Sequence, residues 1–512
     1  MGKTIILSLL AAAFLACVAP APQDPAAITE SLRESTSDAI DRASWEALPG
    51  ALELAGDADF LGTKAPFTLT LFADGRYRQE VGGVLGKTEV FDGTSVYKSD
   101  FSGVMRKLSL ASHNSALVFP SLLSGSWLSD ESPFQMATAN GAFRLAMRTG
   151  PTNLELEVDP ESRLPTGYTE MGSAGLSKTT FEDWRLVAGI LTPHRIRVEE
   201  GDDGPVTEMR VASVRRVPKG QLLEVQLGMP KDVKFDPEIP AQVEVKRVAS
   251  GHILVHPLVN GQDVGWFILD SGAGAMVIDP EVAEQLGLEV VGEVLATGVA
   301  GSTRSAFRAG DKFSLGPMTW DEQVYVEVEL GFLERAFGVP IAGIIGYGFF
   351  SRAVVEVEPL AAFVAVHDPM TYTLAEPSWS PLLFDGHTAS VMASFDSGTG
   401  PLTEPFRMDT GADGTVTFHT PAVERLDLLS GRNLKRITLG GVGGSGTAFE
   451  GTIPWFELGG QRFEEPLVAF SQFDIGVFTD EYSTGNLGQE FLQAFRLVFD
   501  YSQDRIAFLD RK

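Results

Sequence analysis

The chain has 512 residues, 44% hydrophobic and 21% charged, a globular composition that excludes wholesale disorder and coiled-coil architecture. Its 40 basic and 68 acidic residues leave a formal charge of −28, which argues against nucleic acid as a partner, because phosphate binding needs clustered Lys and Arg. One cysteine forbids an intrachain disulfide and a Cys-rich metal site, and the seven histidines contain no His-Glu-x-x-His pair.

The chain begins Met-Gly-Lys3, followed by an apolar run from Ile5 to Ala16. This run is too short to span a bilayer and has the length of a signal-peptide core. Residues 1–17 are therefore expected to be an export signal, giving a periplasmic or cell-envelope-attached protein. Cys17 directly follows Phe14-Leu15-Ala16. That segment resembles a bacterial lipobox, although Phe14 and Leu15 sit one place off the usual pattern. The resemblance implies lipidation of Cys17, so that the membrane is met only through an N-terminal lipid anchor. Ordinary cleavage near Ala19 or Ala21 is the alternative, and Pro20 to Pro25 follows as a tether.

Ile28, Leu32, Ile40 and Trp45 are spaced by threes and fours, which predicts one amphipathic helix over 27–48. Strands follow. Phe67–Leu71 alternates with period two ahead of an Asp74-Gly75 turn. Asp92-Gly93 marks another turn before Ser95–Lys98, and Leu154–Val158 alternates up to Asp159-Pro160. Ile196–Val198 and Met209–Val211 flank the turn at 201–204. The expectation is an antiparallel meander over about 50–215, within a β-rich accessory domain at 27–215. Phe181 to Pro193 and the strands after it resemble the end of the half-barrel in bacterial lipoprotein-carrier proteins. That resemblance implies a curved sheet able to hold a lipid or peptide; a β-rich spacer or docking domain is the plainer alternative.

Residues 216–240, with Pro218, Pro230, Pro237 and Pro240, are expected to be a linker. Beyond them the chain repeats itself. Trp266-Phe-Ile-Leu-Asp270-Ser-Gly-Ala273 returns 139 residues later as Phe406-Arg-Met-Asp409-Thr-Gly-Ala412. Gly298-Val-Ala-Gly301-Ser302 returns as Gly441-Val-Gly-Gly444-Ser445, and Phe313–Gly316 as Phe456–Gly459, both offset by 143. Gly343-Ile-Ile-Gly346 returns as Gly485-Asn-Leu-Gly488, offset by 142. Four landmarks in one order divide the rest of the chain into copies at 241–370 and 376–512.

Each copy delivers an aspartate from an apolar strand into a tight turn. Gly272 and Gly411 let the backbone approach closely, and the hydroxyls of Ser271 and Thr410 can bond across to the other copy's turn. A pseudo-two-fold pairing of the turns would bring Asp270 and Asp409 together. Two carboxylates that close share one proton. One then takes a proton from water while the other donates to a carbonyl oxygen, which is general acid–base hydrolysis without a covalent intermediate.

On these residues the repeated region resembles the retropepsin-like and pepsin-like aspartic peptidases. The expected fold is mainly β: two tandem acid-protease lobes preceded by an antiparallel, half-barrel-like β-rich domain. The resemblance implies catalytic Asp270 and Asp409, no metal or organic cofactor, and Gly-rich flaps at about 297–305 and 440–447. Gly298, Gly301, Gly441 and Gly444 then belong to flaps that bind a peptide or protein substrate. Two copies per chain imply a monomer with intramolecular lobe pairing. Ala273 and Ala412 stand where pepsin-like enzymes often carry Ser or Thr that donates to the carboxylate. A lost donor raises a carboxylate pKa, so the expected optimum is weakly acidic to near neutral. The implied activity is that of an exported aspartic endopeptidase. The alternative is a catalytically inactive periplasmic carrier that binds peptide or lipid.

Other motifs are read as structural. Asp396-Ser397-Gly398 lacks an apolar strand before it and is expected to be a turn. Gly441–Gly446 fits the dinucleotide glycine pattern but is followed by strand-like Thr447–Trp455, not a helix. His252 and His256 could share a strand face, with a structural role, and Asp279 and Asp413 are expected to be solvated.

Overall fold

The computed structural model describes residues 25–511 apart from 102, 140–141, 149–153, 173–174, 202–203, 219–222, 226, 228–229 and 375–378. The expected signal at 1–17, with Cys17, lies outside the described residues. Among the described residues no helix is long and apolar enough to cross a membrane.

Two helices, α1 (Pro25–Ala39) and α2 (Arg42–Glu46), stand where the spacing predicted one. The break falls at Asp41, whose backbone is left-handed (φ 52°) and whose carboxylate accepts from the Ser44 amide to start α2. Leu32, Ile40 and Trp45 are buried, so the apolar positions were legible and the break between them was not.

From Ala51 to Val217 the chain forms one 13-stranded antiparallel sheet. It runs outward in hairpins from Ala51–Phe60 to an edge at Met105–Lys107. It restarts at the opposite edge, Phe134–Ala139, and returns to Val206–Val217, which pairs with Ala51–Phe60. The expected meander is therefore interrupted by a helix, α3 (Leu110–Ser124), that carries the chain from one edge to the other. Its apolar residues Leu117, Val118, Leu122 and Leu123 do not form a single stripe, and Pro120 lies inside it, so periodicity conceals it. Leu117, Val118, Leu122 and Leu123 share a core with strand residues Leu54, Phe67, Tyr168 and Ile196. Phe119 and neighbouring α3 residues line a cavity of about 190 Å³ whose other walls come from strands across the sheet, so the sheet curls around the helix. Helix α3 packs on the concave face, and Lys87, Glu89 and Glu170 line part of the cavity beside it.

The expected linker is not bare. Val233–Phe235 adds a strand to Met318–Asp321 of the first lobe. The two copies then fold alike. In the first, Trp266–Leu269 runs parallel to Ile341–Ile345, and Met276–Ile278 parallel to Val324–Glu327. In the second, Pro401–Met408 runs parallel to Gly485–Leu487, and Val416–Phe418 parallel to Leu467–Ser471. Val354–Val357 and Arg496–Asp500 pair between the lobes, so one sheet runs beneath both and one apolar core spans them. The accessory domain docks on this body. Leu61's carbonyl accepts from Glu293's N–H at 2.8 Å, Phe101 packs on Phe307, and buried Arg106 donates to Tyr347's hydroxyl and pairs with Asp504.

Candidate active site

Asp270 and Asp409 each follow a strand and are pinned by the parallel neighbour. Asp270's N–H donates to Ile345's carbonyl (2.9 Å) and Asp409's to Leu487's (3.1 Å). Each then enters its turn. The N–H groups of Gly272 and Ala273 donate to Asp270 Oδ1 at 2.8 and 3.1 Å, and Gly411's donates to Asp409 Oδ1 at 3.1 Å.

The two turns lock together through four bonds. Ser271's N–H donates to Thr410 Oγ1 (2.9 Å), which donates to Leu269's carbonyl (2.9 Å). Reciprocally, Thr410's N–H donates to Ser271 Oγ (3.1 Å), which donates to Met408's carbonyl (3.0 Å). The glycines permit the approach. A Cβ on Gly272 would lie 2.6 Å from Asp409 Cγ, and one on Gly411 would overlap the Asp270 carboxyl. Thr410→Val removes a donor and an acceptor at a buried site. It leaves Ser271's N–H and Leu269's carbonyl unpaired, at about 1–3 kcal/mol for each group. A urea titration checks this; an unchanged midpoint would show that the lobes do not depend on the lock.

Burial and the neighbouring Asp409 push Asp270 up to about 7, against backbone N–H donors that favour its charge. Burial also raises Asp409, opposed by Arg407, backbone donors and His252. The pair titrates as a unit.

Several contributors escaped sequence reasoning. Asn486 Nδ2 donates to Asp409 Oδ2 at 2.8 Å, so Asp409 has a side-chain donor despite Ala412. Its only sequence signal was the mismatch of Asn486 with Ile344 inside a repeated motif. Buried His419 lies 2.9 Å behind it, Nε2 to Asn486 Oδ1. His252 does not share a role with His256: its Nε2 lies 2.8 Å from Gly411's carbonyl, whereas His256 pairs with Asp263. Asp279 is buried, not solvated, because it caps the helix Pro280–Gln285 and accepts Leu330's N–H. Asp413 is exposed. Asp396–Gly398 forms the turn between Thr388–Asp396 and Pro401–Met408, with Gly398's N–H on Asp396 Oδ1.

The two Gly-rich segments are tips of hairpins, Glu289–Gly298 with Gly301–Ala309 and Lys435–Gly441 with Gly444–Thr452. The tips meet. Val299's N–H donates to Val442's carbonyl at 2.7 Å. A Cβ on Gly298 would overlap Val442's carbonyl, and one on Gly441 would lie 2.7 Å from Val299 Cγ2. Gly301 and Gly444 sit in looser contact with the opposite tip, Gly444 facing Ala300.

Residues 255–349 match the family model described as aspartyl protease. This span contains Asp270 and its supporting strand, and it supports a protease, a hydrolase, in general terms. A comparison with curated proteins finds no match. Among solved structures the chain is similar to a LolA superfamily protein from Nitrosomonas europaea, at 11% identity and TM-score 0.29 over 38% of this chain and 97% of that one. It is also similar to a DUF1329 family protein from Desulfovibrio piger, at 12% identity and TM-score 0.26 over 38% of this chain and 94% of that one.

Proposed function

We propose that this protein is an exported aspartic endopeptidase in which Asp270 and Asp409 activate one water between them. The observation that carries the proposal is the reciprocal lock that places each carboxylate against the other turn's glycine. In this mechanism the ionised member takes a proton from water. The oxygen attacks the peptide carbonyl carbon while the protonated member donates to the carbonyl oxygen. Collapse of the tetrahedral intermediate breaks the C–N bond, and the amine leaves with a proton from the dyad. Substrate lies extended, pairing its backbone with the flaps.

The carrier alternative would rest on the cavity of about 190 Å³ that remains beside α3, lined in part by Lys87, Glu89 and Glu170.

The test follows cleavage of a reduced, carboxymethylated protein by the full chain from pH 3 to 8, with and without a statine-type inhibitor. With Asp270 raised to about 7, the dyad keeps its single proton through weakly acidic pH and loses it above neutrality. The rate is expected to peak between about pH 5 and 7 and to be blocked by inhibitor. A rate still climbing as the pH falls to 3 would sink this pH assignment. Retention of the peptide without cleavage at any pH would make the lobes a binding module.

A further inference from the structure

The two lobes are alike in backbone and unlike in chemistry at one place. Across three neighbouring strands of the first lobe, register aligns Ile268, Ile344 and Val277, all buried in one apolar cluster. The same row in the second lobe is Arg407, Asn486 and Thr417. The helix cap beyond it changes from Asp279 to His419. Among the described residues this row is therefore polar behind Asp409 and apolar behind Asp270.

With Asp409 ionised, Asn486 turns its NH₂ toward Oδ2, since the reverse would set two acceptors together. Its Oδ1 then accepts only, so His419 Nε2 carries the hydrogen. Burial holds His419 down to about 4, so the ring is neutral and its N–H fixes the amide. Arg407 is paired with Asp480 at 2.9 Å, and His252 faces the same turn through Gly411's carbonyl. Asp270 faces Asp409, and Tyr501's hydroxyl bonds the carbonyl of the adjacent Ser271.

We propose that Asn486, held by His419, is a positioning residue that assigns the dyad's single negative charge to Asp409 and its proton to Asp270. The proposal rests on the aspartic-dyad reading above and deepens it. Asp409 becomes the base toward water and Asp270 the donor to the carbonyl oxygen. An amide donor favours the charged form of the carboxylate it touches, and Ile344 offers Asp270 no counterpart.

The experiment compares pH–rate profiles of the full-length wild type with those of Asn486→Leu, His419→Leu and His419→Gln. In Asn486→Leu the acid limb is expected to move up by about one pH unit, roughly tenfold in rate on that side, with the alkaline limb in place. His419→Leu should move it partway, and His419→Gln, which keeps a donor, should restore it. An equal fall in rate at every pH would reduce Asn486 to a packing residue and overturn the proposal.

A second readout needs no turnover. An epoxide such as 1,2-epoxy-3-(p-nitrophenoxy)propane esterifies the ionised carboxylate, and peptide mass mapping identifies it. Wild type should carry the label on Asp409, and Asn486→Leu on both aspartates. Label on Asp270 in the wild type would overturn the charge assignment. Absence of cleavage with label on Asp409 would count against the peptidase reading while leaving the assignment standing.

Discussion

Asp270→Asn and Asp409→Asn are each expected to lower cleavage by at least about 10³-fold, and Asp270→Asn is also expected to stabilise the fold at neutral pH. The rate loss follows because each carboxylate has a proton-transfer task that an amide cannot perform. The stability gain follows from burial. Asp270 is raised to about 7 in the folded protein, against an ordinary aspartate in the unfolded chain. Between about pH 4 and 7 the unfolded chain has released a proton that the folded chain retains, so wild-type stability falls as pH rises through that window. Asparagine carries no such proton. The Tm advantage of Asp270→Asn over wild type should therefore grow from pH 4 to pH 7, read by thermal unfolding beside the rate assay. Cleavage by either variant within a hundredfold of wild type would remove the two-carboxylate mechanism. A Tm difference independent of pH would remove the account of the buried carboxyl.

The second large effect is expected at Arg352, far from the chemistry. Its side chain is 1% exposed and lies over the Trp320 ring, with its guanidinium carbon 4.2 Å from the ring centroid. It donates to Asp232 at 2.7 and 3.0 Å, to Asp100 at 3.3 Å, and to Gly348's carbonyl at 2.9 Å. One guanidinium thus joins the accessory domain, the segment after it and the first lobe. Arg352→Met keeps much of the volume and removes the charge, leaving the carboxylates of Asp100 and Asp232 without their buried cation. Breaking a buried pair in this way costs about 3–5 kcal/mol. Urea unfolding should show a much lower midpoint, and limited proteolysis should cut first within 216–240. A loss below about 1 kcal/mol would mean that solvent reaches these carboxylates and the interface is looser than its burial implies.

Much of the site was legible because its signals are local or repeated. An apolar strand ending in Asp-Ser/Thr-Gly-Ala encodes its own turn, and a second copy 139 residues later implies a partner for it. The two Gly-rich hairpin tips were legible for the same reason, since Gly298–Ser302 and Gly441–Ser445 hold the same place in each copy. Where the copies diverge, at Asn486 against Ile344 and His419 against Asp279, nothing local in the chain marks the change as part of the site. The helix α3 was lost because a segment packed inside a curled sheet has no polar face to set its period.

By itself the sequence determined the two-lobed repeat, the two aspartate turns and the hydroxyls able to lock them, because each depends on residues near one another in the chain. Only the tertiary structure decided that Asn486 and His419 stand behind Asp409, that α3 packs on the sheet's concave face, and that Leu61 and Arg352 bind the accessory domain to the lobes. The hydrogen bonds and ion pairs among them join residues from 67 to over 200 positions apart, such as Asn486 with His419 and Leu61 with Glu293. Their hydrogen bonds and charge pairs exist only once burial has brought the strands together and removed the water that would otherwise satisfy them.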